Sequence, residues 1–213
     1  MTPAAERRSD MLAAGAVLVA VAVPYVLLGQ EVSHVPPAGI DAAARGVAGE
    51  APAVAWVFTA SCLWPVLATF GVIGAVVALR DREWRARIVF AILTTLGGWQ
   101  ISNVLKDRFT RPRPEYWIVY HETTYSYSSG HAMFATIVYW LWAYYVARSE
   151  LRPGLRYPLC AALILWGVGV VWSRLALGAH YPTDLAGGVL LGVAMIALAT
   201  LVARLIAPAA RVL

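Results

Sequence analysis

The sequence has few charged residues and few cysteines, and these shortages exclude several kinds of protein. Only 14% of its 213 residues are charged, whereas 60% are hydrophobic, and the mean hydropathy is +0.65. A typical soluble domain has about 45–50% apolar and about 25% charged residues. The apolar excess is too large for the core of one soluble domain, so part of it must face lipid.

The two cysteines and the basic charge exclude further classes. Cys62 and Cys160 both lie inside apolar runs and lack the spacing of metal ligands, so a disulfide framework is not expected. The formal net charge is +5, but the arginines stand between apolar segments and not in a basic stripe with interleaved aromatic residues. We therefore expect no nucleic-acid partner.

Long apolar segments predict a polytopic membrane protein. Six of them can be drawn, over residues 11–29, 53–79, 88–105, 131–147, 157–172 and 184–206. Each is close to the roughly 20 residues that cross about 30 Å of hydrocarbon as a helix. We predict an all-α fold in which residues 1–213 form one membrane-embedded domain, a bundle of six transmembrane helices.

The positions of the arginines and the lysine predict the orientation of the bundle. Eleven of these 17 residues lie in the N-terminus, the loops 80–87 and 148–156 and the C-terminal tail, and six lie in the other connections. Because cytoplasmic loops carry an excess of positive residues, both termini are predicted to be cytoplasmic. The loops 30–52, 106–130 and 173–183 are then predicted on the outer side.

Three polar stretches flank the membrane segments on this outer side. They read KDRFTRPRP from Lys106 to Pro114, SSGH from Ser128 to His131, and SRLALGAHYPTD from Ser173 to Asp184. The predicted topology brings all three to one surface of one bundle, so their side chains are expected to form a single site.

The cations of these stretches are suited to a phosphate group. Lys106, Arg113 and Arg174 supply three positive charges, and the planar fork of arginine matches two phosphate oxygens at once. Ser129 stands where an N-cap is expected, immediately before an apolar helix. Gly130 allows close approach of the backbone, so the free N–H groups at this helix start are expected to face an anion.

Two histidines in the stretches fill the two roles that phosphoryl transfer through a covalent intermediate requires. Asp184 follows His180 by four residues, close enough to hydrogen-bond its far nitrogen and leave the other nitrogen free as a nucleophile. His131 would protonate the leaving alkoxide and later deprotonate the attacking water. Because no carboxylate cluster or His/Cys set suggests a metal, we expect catalysis without a metal or another cofactor.

These residues form the patterns of a known family. The chain resembles the membrane-bound type-2 phosphatidic acid phosphatase family, whose motifs read K-x6-R-P, P-S-G-H and S-R-x5-H-x3-D, and the resemblance covers residues 99–192. The wider superfamily includes bacterial class A acid phosphatases and vanadium haloperoxidases. Ser128 departs from the pattern, since it stands where the family has a proline that would stiffen the turn.

The resemblance implies an integral membrane lipid phosphatase whose active site lies at the outer face of a bacterial cytoplasmic membrane. It implies the same residue roles and substrates such as phosphatidic acid, phosphatidylglycerophosphate or undecaprenyl pyrophosphate. Two alternatives stay open: a lipid phosphotransferase that uses an acceptor other than water, and a non-catalytic lipid-binding or transport protein. The sequence does not determine the lipid, a preference for monophosphate or diphosphate, or the oligomeric state.

Two further interpretations are open at this stage. Arg108 and Arg111 flank the first motif, where they either attract substrate or form a solvated face. Arg174 is either a phosphate ligand or the partner of an acid such as Glu122.

Overall fold

Every regular element that the computed structural model describes is a helix, over residues 3–117, 122–207 and 212–213. This confirms the predicted all-α fold. A 3₁₀ turn, Ala44–Gly46, follows α2, and a π-helical stretch, Ala135–Trp140, joins α6 to α7. The helices in chain order are α1 (Pro3–Ser33), α2 (Ile40–Ala43), α3 (Pro52–Ala60), α4 (Trp64–Arg80), α5 (Arg82–Phe109), α6 (Gly130–Phe134), α7 (Leu141–Ala147), α8 (Pro153–Ala176) and α9 (Pro182–Ile206).

Five stretches of the described chain are long and apolar enough to cross a membrane. They contain five of the six predicted segments, and their most apolar windows have mean hydropathies between 1.5 and 2.5. These helices support a multi-pass membrane protein. The five stretches are Ala5–Ser33, Pro52–Arg80, Arg82–Phe109, Pro153–Ala176 and Pro182–Ile206.

The fourth predicted segment, residues 131–147, is helical but is not one of these five stretches. It consists of α6, the π-helical stretch and α7, and most of its side chains are buried. It packs against α5, α8 and α9 and is therefore the central helix of the bundle. The count of six transmembrane helices stays a prediction because it depends on this segment.

The second predicted segment, residues 53–79, is not one continuous helix. The helix breaks between α3 and α4 because Pro65 has no N–H to donate to Ser61 and its ring would clash with that carbonyl group. Proline is instead favourable in the first turn of a new helix, which is its position in α4. The break turns Cys62 and Leu63 towards the cavity of the site described below.

The ends of the helices show that the three polar stretches lie at one end of the bundle. α5 and α8 run towards this end, whereas α6 and α9 start there. At the opposite end, the Nη2 atom of Arg204 on α9 lies 2.7 Å from the Oδ2 atom of Asp10 on α1. That opposite end is the predicted cytoplasmic side, an orientation that stays a prediction.

Glycines on α9 allow the central helix to approach it closely. A Cβ atom at Gly192 would lie 2.6 Å from the Cβ atom of Thr136, and one at Gly188 would overlap the backbone oxygen of Ser129. Any larger residue at these positions would push the two helices apart. This close packing holds the second polar stretch against the third.

Candidate active site

The first polar stretch leaves α5 through an unusual backbone turn. Lys106 lies on the last turn of α5, and Thr110 then adopts the left-handed conformation with φ 53°. This conformation is rare for a residue with a side chain, and it ends the helix and redirects the chain. Arg111 and Arg113 therefore lie across the end of the bundle and do not continue along the helix axis.

The third polar stretch is placed by a glycine turn at the end of α8. Gly178 has φ 66°, and its N–H donates to the carbonyl of Leu175 at 2.8 Å while the N–H of Ala179 donates to the carbonyl of Arg174 at 2.9 Å. This pair of bonds is the Schellman motif, which favours glycine at this position. The turn leaves Arg174 on α8 and places His180 in the connection to α9.

Asp184 on the first turn of α9 is held by several donors. Its Oδ2 atom accepts hydrogen bonds from the backbone N–H of Tyr181 at 2.9 Å and from the hydroxyl of Ser126 at 2.5 Å. The Nδ1 atom of His180 lies 3.5 Å from the same oxygen. The predicted proximity of His180 and Asp184 is therefore found, and Asp184 is fully buried.

Ser126 is a site residue that the sequence interpretation missed. Its Oγ atom lies 3.3 Å from Nδ1 of His180 and also donates to Asp184. Because its single hydrogen is used on Asp184, the hydroxyl can only accept from His180. This arrangement requires the tautomer with hydrogen on Nδ1, which leaves the lone pair on Nε2. The only sequence signal was a polar residue shortly before the SSGH stretch.

The nitrogen of His180 that carries the lone pair faces a cation. Its Nε2 atom lies 3.2 Å from Nη1 of Arg113. Burial lowers the pKa of His180 well below its ordinary value, and the nearby charges of Arg113, Arg174 and Lys106 lower it further. The imidazole is therefore neutral at neutral pH, which is the state a nucleophile needs.

Lys106, Arg113 and Arg174 come together as a cationic cup, as the sequence predicts. Arg113 donates to the backbone oxygen of Thr124 at 2.7 Å, and Lys106 donates to that of Tyr125 at 3.0 Å. The guanidinium of Arg174 is buried, and its Nε atom has no hydrogen-bond partner among the described residues. Backbone carbonyls thus help to hold Lys106 and Arg113 in place, and the unpartnered Nε atom of Arg174 is a donor that remains available.

A carboxylate lies between two cations of the cup. Glu122 is 2.6 Å from Nη2 of Arg113 and 3.0 Å from Nη2 of Arg174. Burial alone would raise the pKa of Glu122, but the charges of Arg113 and Arg174 outweigh this effect and lower it to about 2. The suggested pairing of Arg174 with Glu122 is therefore confirmed, and it occurs inside the cup.

An adjoining cavity of about 280 Å³ opens beside the cup. His131 lines it, and the Nε2 atom of His131 is buried without a hydrogen-bond partner in the described chain. Glu122, Arg174 and Lys106 also line it, whereas His180 and Arg113 do not. The apolar part of the wall is aromatic and includes Trp56, Trp64, Trp99, Trp117 and Phe134.

The helix start at the second polar stretch forms as predicted. The Oγ atom of Ser129 accepts from the N–H of Ala132 at 3.4 Å, the N-cap arrangement. Gly130 lines the cavity, and a Cβ atom there would meet no atom within 4 Å. The space that its missing side chain leaves is thus open to a ligand.

The interpretation of Arg111 as a solvated or substrate-attracting residue is wrong. Arg111 is only 2% exposed, and its guanidinium forms ion pairs with Asp184 at 2.6 Å and with Asp41 at 2.7 Å. Arg108, by contrast, is exposed. Asp41 was not singled out by the sequence because it lies in a separate loop, 143 positions before Asp184.

In the ranges that the structure describes, no group of three or more His, Cys, Asp or Glu side chains is arranged to hold a metal ion. The expectation of catalysis without a metal stays a prediction.

Comparison with known sequences decides the family. Residues 84–206, more than half of the chain, match the PAP2 superfamily and contain all three polar stretches. The chain belongs to the PAP2 superfamily. This confirms the resemblance drawn from the three motifs.

Named relatives of this PAP2 protein are bacterial phosphatases. Phosphatidylglycerophosphatase B of Bacillus subtilis is 32% identical over 124 residues, which cover 57% of this chain and 59% of the relative. The Escherichia coli protein of that name is 35% identical, over 52% of this chain and 43% of its own. Lipid A 1-phosphatase of Rhizobium etli is 29% identical, over 52% and 47%. The chain thus spans about half the length of the curated relatives it matches.

A solved structure shares the fold of this PAP2 protein. It is the crystal structure of a transmembrane PAP2 type phosphatidylglycerolphosphate phosphatase from Bacillus subtilis, matched with a TM-score of 0.74. The match covers 89% of this chain and 96% of the other, at 24% sequence identity. At this identity the likeness shows the fold.

Proposed function

We propose that this PAP2 protein is a membrane lipid phosphatase that hydrolyses a phosphorylated headgroup through a phosphohistidine at His180, without a metal. The observation that carries the proposal is the geometry of His180, whose Nε2 atom is 3.2 Å from Arg113 while Nδ1 faces Ser126 and Asp184. The names of the relatives support a phosphatase. The apolar helices support a lipid substrate.

The first chemical step is attack of Nε2 of His180 on phosphorus. The bond to the lipid alkoxide breaks, and the cationic cup stabilises the charge on the equatorial oxygens of the transition state. His131, protonated at the start of this step, donates the proton of its otherwise unpartnered Nε2 atom to the leaving oxygen and becomes neutral. As His180 becomes positively charged, Asp184 stabilises it.

The second step returns the enzyme to its starting state. A water molecule attacks the phosphohistidine, and His131 accepts its proton, so that inorganic phosphate leaves and His180 is again neutral. Because the pKa of His180 lies well below 6.5, the nucleophile is neutral at neutral pH. We therefore expect kcat/KM to decline on acidification only well below that value.

The cavity supports the substrate class. Lys106 and Arg174 of the cationic cup line it together with His131, and aromatic side chains form much of the rest of its wall. We propose that the phosphate enters the cup while the lipid tail lies among the helices, with phosphatidylglycerophosphate as the first substrate to test because two relatives carry its name. The charge distribution of the loops supports a site on the outer face of a bacterial cytoplasmic membrane.

Phosphate release by the purified protein in detergent tests this function. Phosphatidylglycerophosphate, phosphatidic acid and an isoprenyl diphosphate should be compared, and at least one should release phosphate. His180→Ala should abolish turnover and the acid-labile phosphoenzyme, whereas His34→Ala, which changes an exposed histidine in the outer loop 30–52, should not.

Three results would contradict the proposal. Full activity of His180→Ala would exclude the phosphohistidine, and inactivity of the folded protein towards every lipid would favour a non-catalytic protein. Transfer of labelled phosphate to an alcohol acceptor without release of free phosphate would favour a phosphotransferase.

A further inference from the structure

Arg111 lies in the same motif region as the cationic cup but has a different surrounding. Its Nη1 atom donates to the Oδ1 atom of Asp184 at 2.6 Å and to the hydroxyl of Thr183 at 2.7 Å. Its guanidinium also lies over the ring of Tyr181, 4.4 Å from the centroid. Both of its Nη atoms are engaged by carboxylates, and Arg111 does not line the cavity. We therefore assign its guanidinium to Asp184 and Asp41 and not to the substrate phosphate.

Asp41 joins this residue to the outer segment between α1 and α3. Its Oδ2 atom lies 2.7 Å from Nη2 of Arg111 and also accepts from the hydroxyl of Thr183 at 2.7 Å. Its Oδ1 atom accepts from the backbone N–H of Thr183 at 3.1 Å. Asp41 therefore binds Arg111 and the first turn of α9 at the same time.

The two oxygens of Asp184 have different partners as a result. Oδ1 is taken by Arg111, and Oδ2 is left to Ser126, the backbone of Tyr181 and the ring of His180. Without Arg111, the carboxylate could rotate and lose its alignment with His180. A buried ion pair that loses one partner also leaves an uncompensated charge.

We propose that Arg111 and Asp41 are a positioning pair that aligns Asp184 with His180 and sets the charge His180 experiences. Asp41 holds Arg111, and Arg111 holds Asp184. This inference rests on the proposed function, because alignment matters only if His180 is the nucleophile. Asp41 lies on the short helix α2, outside the three motifs, so this inference gives α2 a role in catalysis.

The opposite charges of Arg111 and Asp41 predict that their variants shift the acid limb of kcat/KM in opposite directions. In the native protein the charges of Arg111 and Asp41 oppose each other. Arg111→Gln leaves the negative charge of Asp184 beside His180 without its cation, which favours the protonated form of His180 and moves the acid limb of kcat/KM to higher pH, by about one unit. Asp41→Asn leaves the charge of Arg111 unopposed and moves the limb to lower pH.

Other charges around His180 are unchanged in these variants. Arg113 and Glu122 face it from the loop before α6, Lys106 from α5, and Arg174 from α8. The further titratable groups near Asp41 are Tyr116 and Tyr181, and Arg45 lies over the ring of Tyr116. A shift that differs in sign between the two variants can thus be assigned to the pair itself.

The test measures kcat, KM and the pH profile of phosphate release for the purified full chain in detergent. Arg111→Gln and Asp41→Asn should each lower kcat by about tenfold or more with KM unchanged, because neither residue touches substrate. The double variant should have low kcat but an acid limb near that of the native protein. Arg45→Gln, an exposed arginine on the same outer segment, is the matched control and should retain the native profile.

The outcomes separate this inference from the proposed function. Equal losses of kcat with unmoved pH profiles would mean a purely structural role and overturn the inference alone. An inactive native protein would overturn both. If Arg111→Gln does not fold, as judged by gel filtration and thermal melting, Asp41→Asn carries the test. Its acid limb should move to lower pH as kcat falls, and an unmoved limb would overturn the inference.

Discussion

Glu122 lies between two cations of the cup, where we propose that the substrate phosphate binds. Its carboxylate pairs with Arg113 and Arg174, which lower its pKa from 4.5 to about 2. Since one pKa unit is about 1.36 kcal/mol, the cup favours the ionised carboxylate over the neutral acid by about 3 kcal/mol. An incoming phosphate must displace this attraction, and Glu122→Gln removes it while keeping the size of the side chain.

The expected result is tighter binding of phosphate-like anions. An energy of about 3 kcal/mol corresponds to about 100-fold in affinity, which is an upper limit. The Glu122 side chain is 27% exposed, so water restores part of the lost interaction when it is displaced. We therefore expect the inhibition constants of vanadate and inorganic phosphate to fall by about tenfold in Glu122→Gln, which is less than the upper limit of about 100-fold.

The assay is competitive inhibition of phosphate release by the purified protein. Glu115→Gln is the matched control, because Glu115 is exposed on the same loop and its loss changes the net charge equally. It should leave both inhibition constants unchanged. An unchanged or higher constant in a folded Glu122→Gln protein would show that the carboxylate does not compete with the anion.

Three further predictions concern the cup, the helix start and metal dependence. Arg174→Ala should raise the activation barrier by about 2–4 kcal/mol, which is a loss of about 30- to 900-fold in kcat/KM. Arg108→Ala removes an exposed cation on the same face and should change kcat/KM by less than about threefold, as is typical of surface sites. Similar losses of kcat/KM in both variants would mean that the overall positive charge of this face, and not Arg174 itself, promotes the reaction. Gly130→Ala places a methyl group in open space beside the cavity, so KM should rise without a loss of thermal stability. Gly15→Ala, which also meets no atom within 4 Å, should leave KM unaltered, and an unaltered KM in Gly130→Ala would refute this use of the space. Activity should survive EDTA, and restoration by Mg²⁺ after a loss would refute the metal-free mechanism.

Features that depend on neighbouring residues could be predicted from the sequence. The cap at Ser129 and the approach of His180 to Asp184 follow from distances within one helical turn, and the structure has both. Five apolar segments became long apolar helices because length and composition decide whether a helix can face lipid. The gathering of the three polar stretches followed from counting these segments.

Features that depend on contacts between distant elements were not predicted. The break before Pro65 was overlooked because the apolar run around it is continuous in hydropathy. Ser126 gave only a weak signal, since many loop serines have no role. Glu122 was considered as a partner of Arg174, but its place inside the cup was not foreseen.

The sequence by itself determined an all-helical membrane protein with three polar motifs that contain two histidines, because residue spacing and apolar length act locally along the chain. Only the tertiary structure decided what each charge meets. Arg111 turns inward to Asp184 and Asp41, whereas Arg113, two positions later, enters the cup. Helix packing brings residues from distant parts of the chain into contact, and a local sequence pattern does not predict which of them will meet.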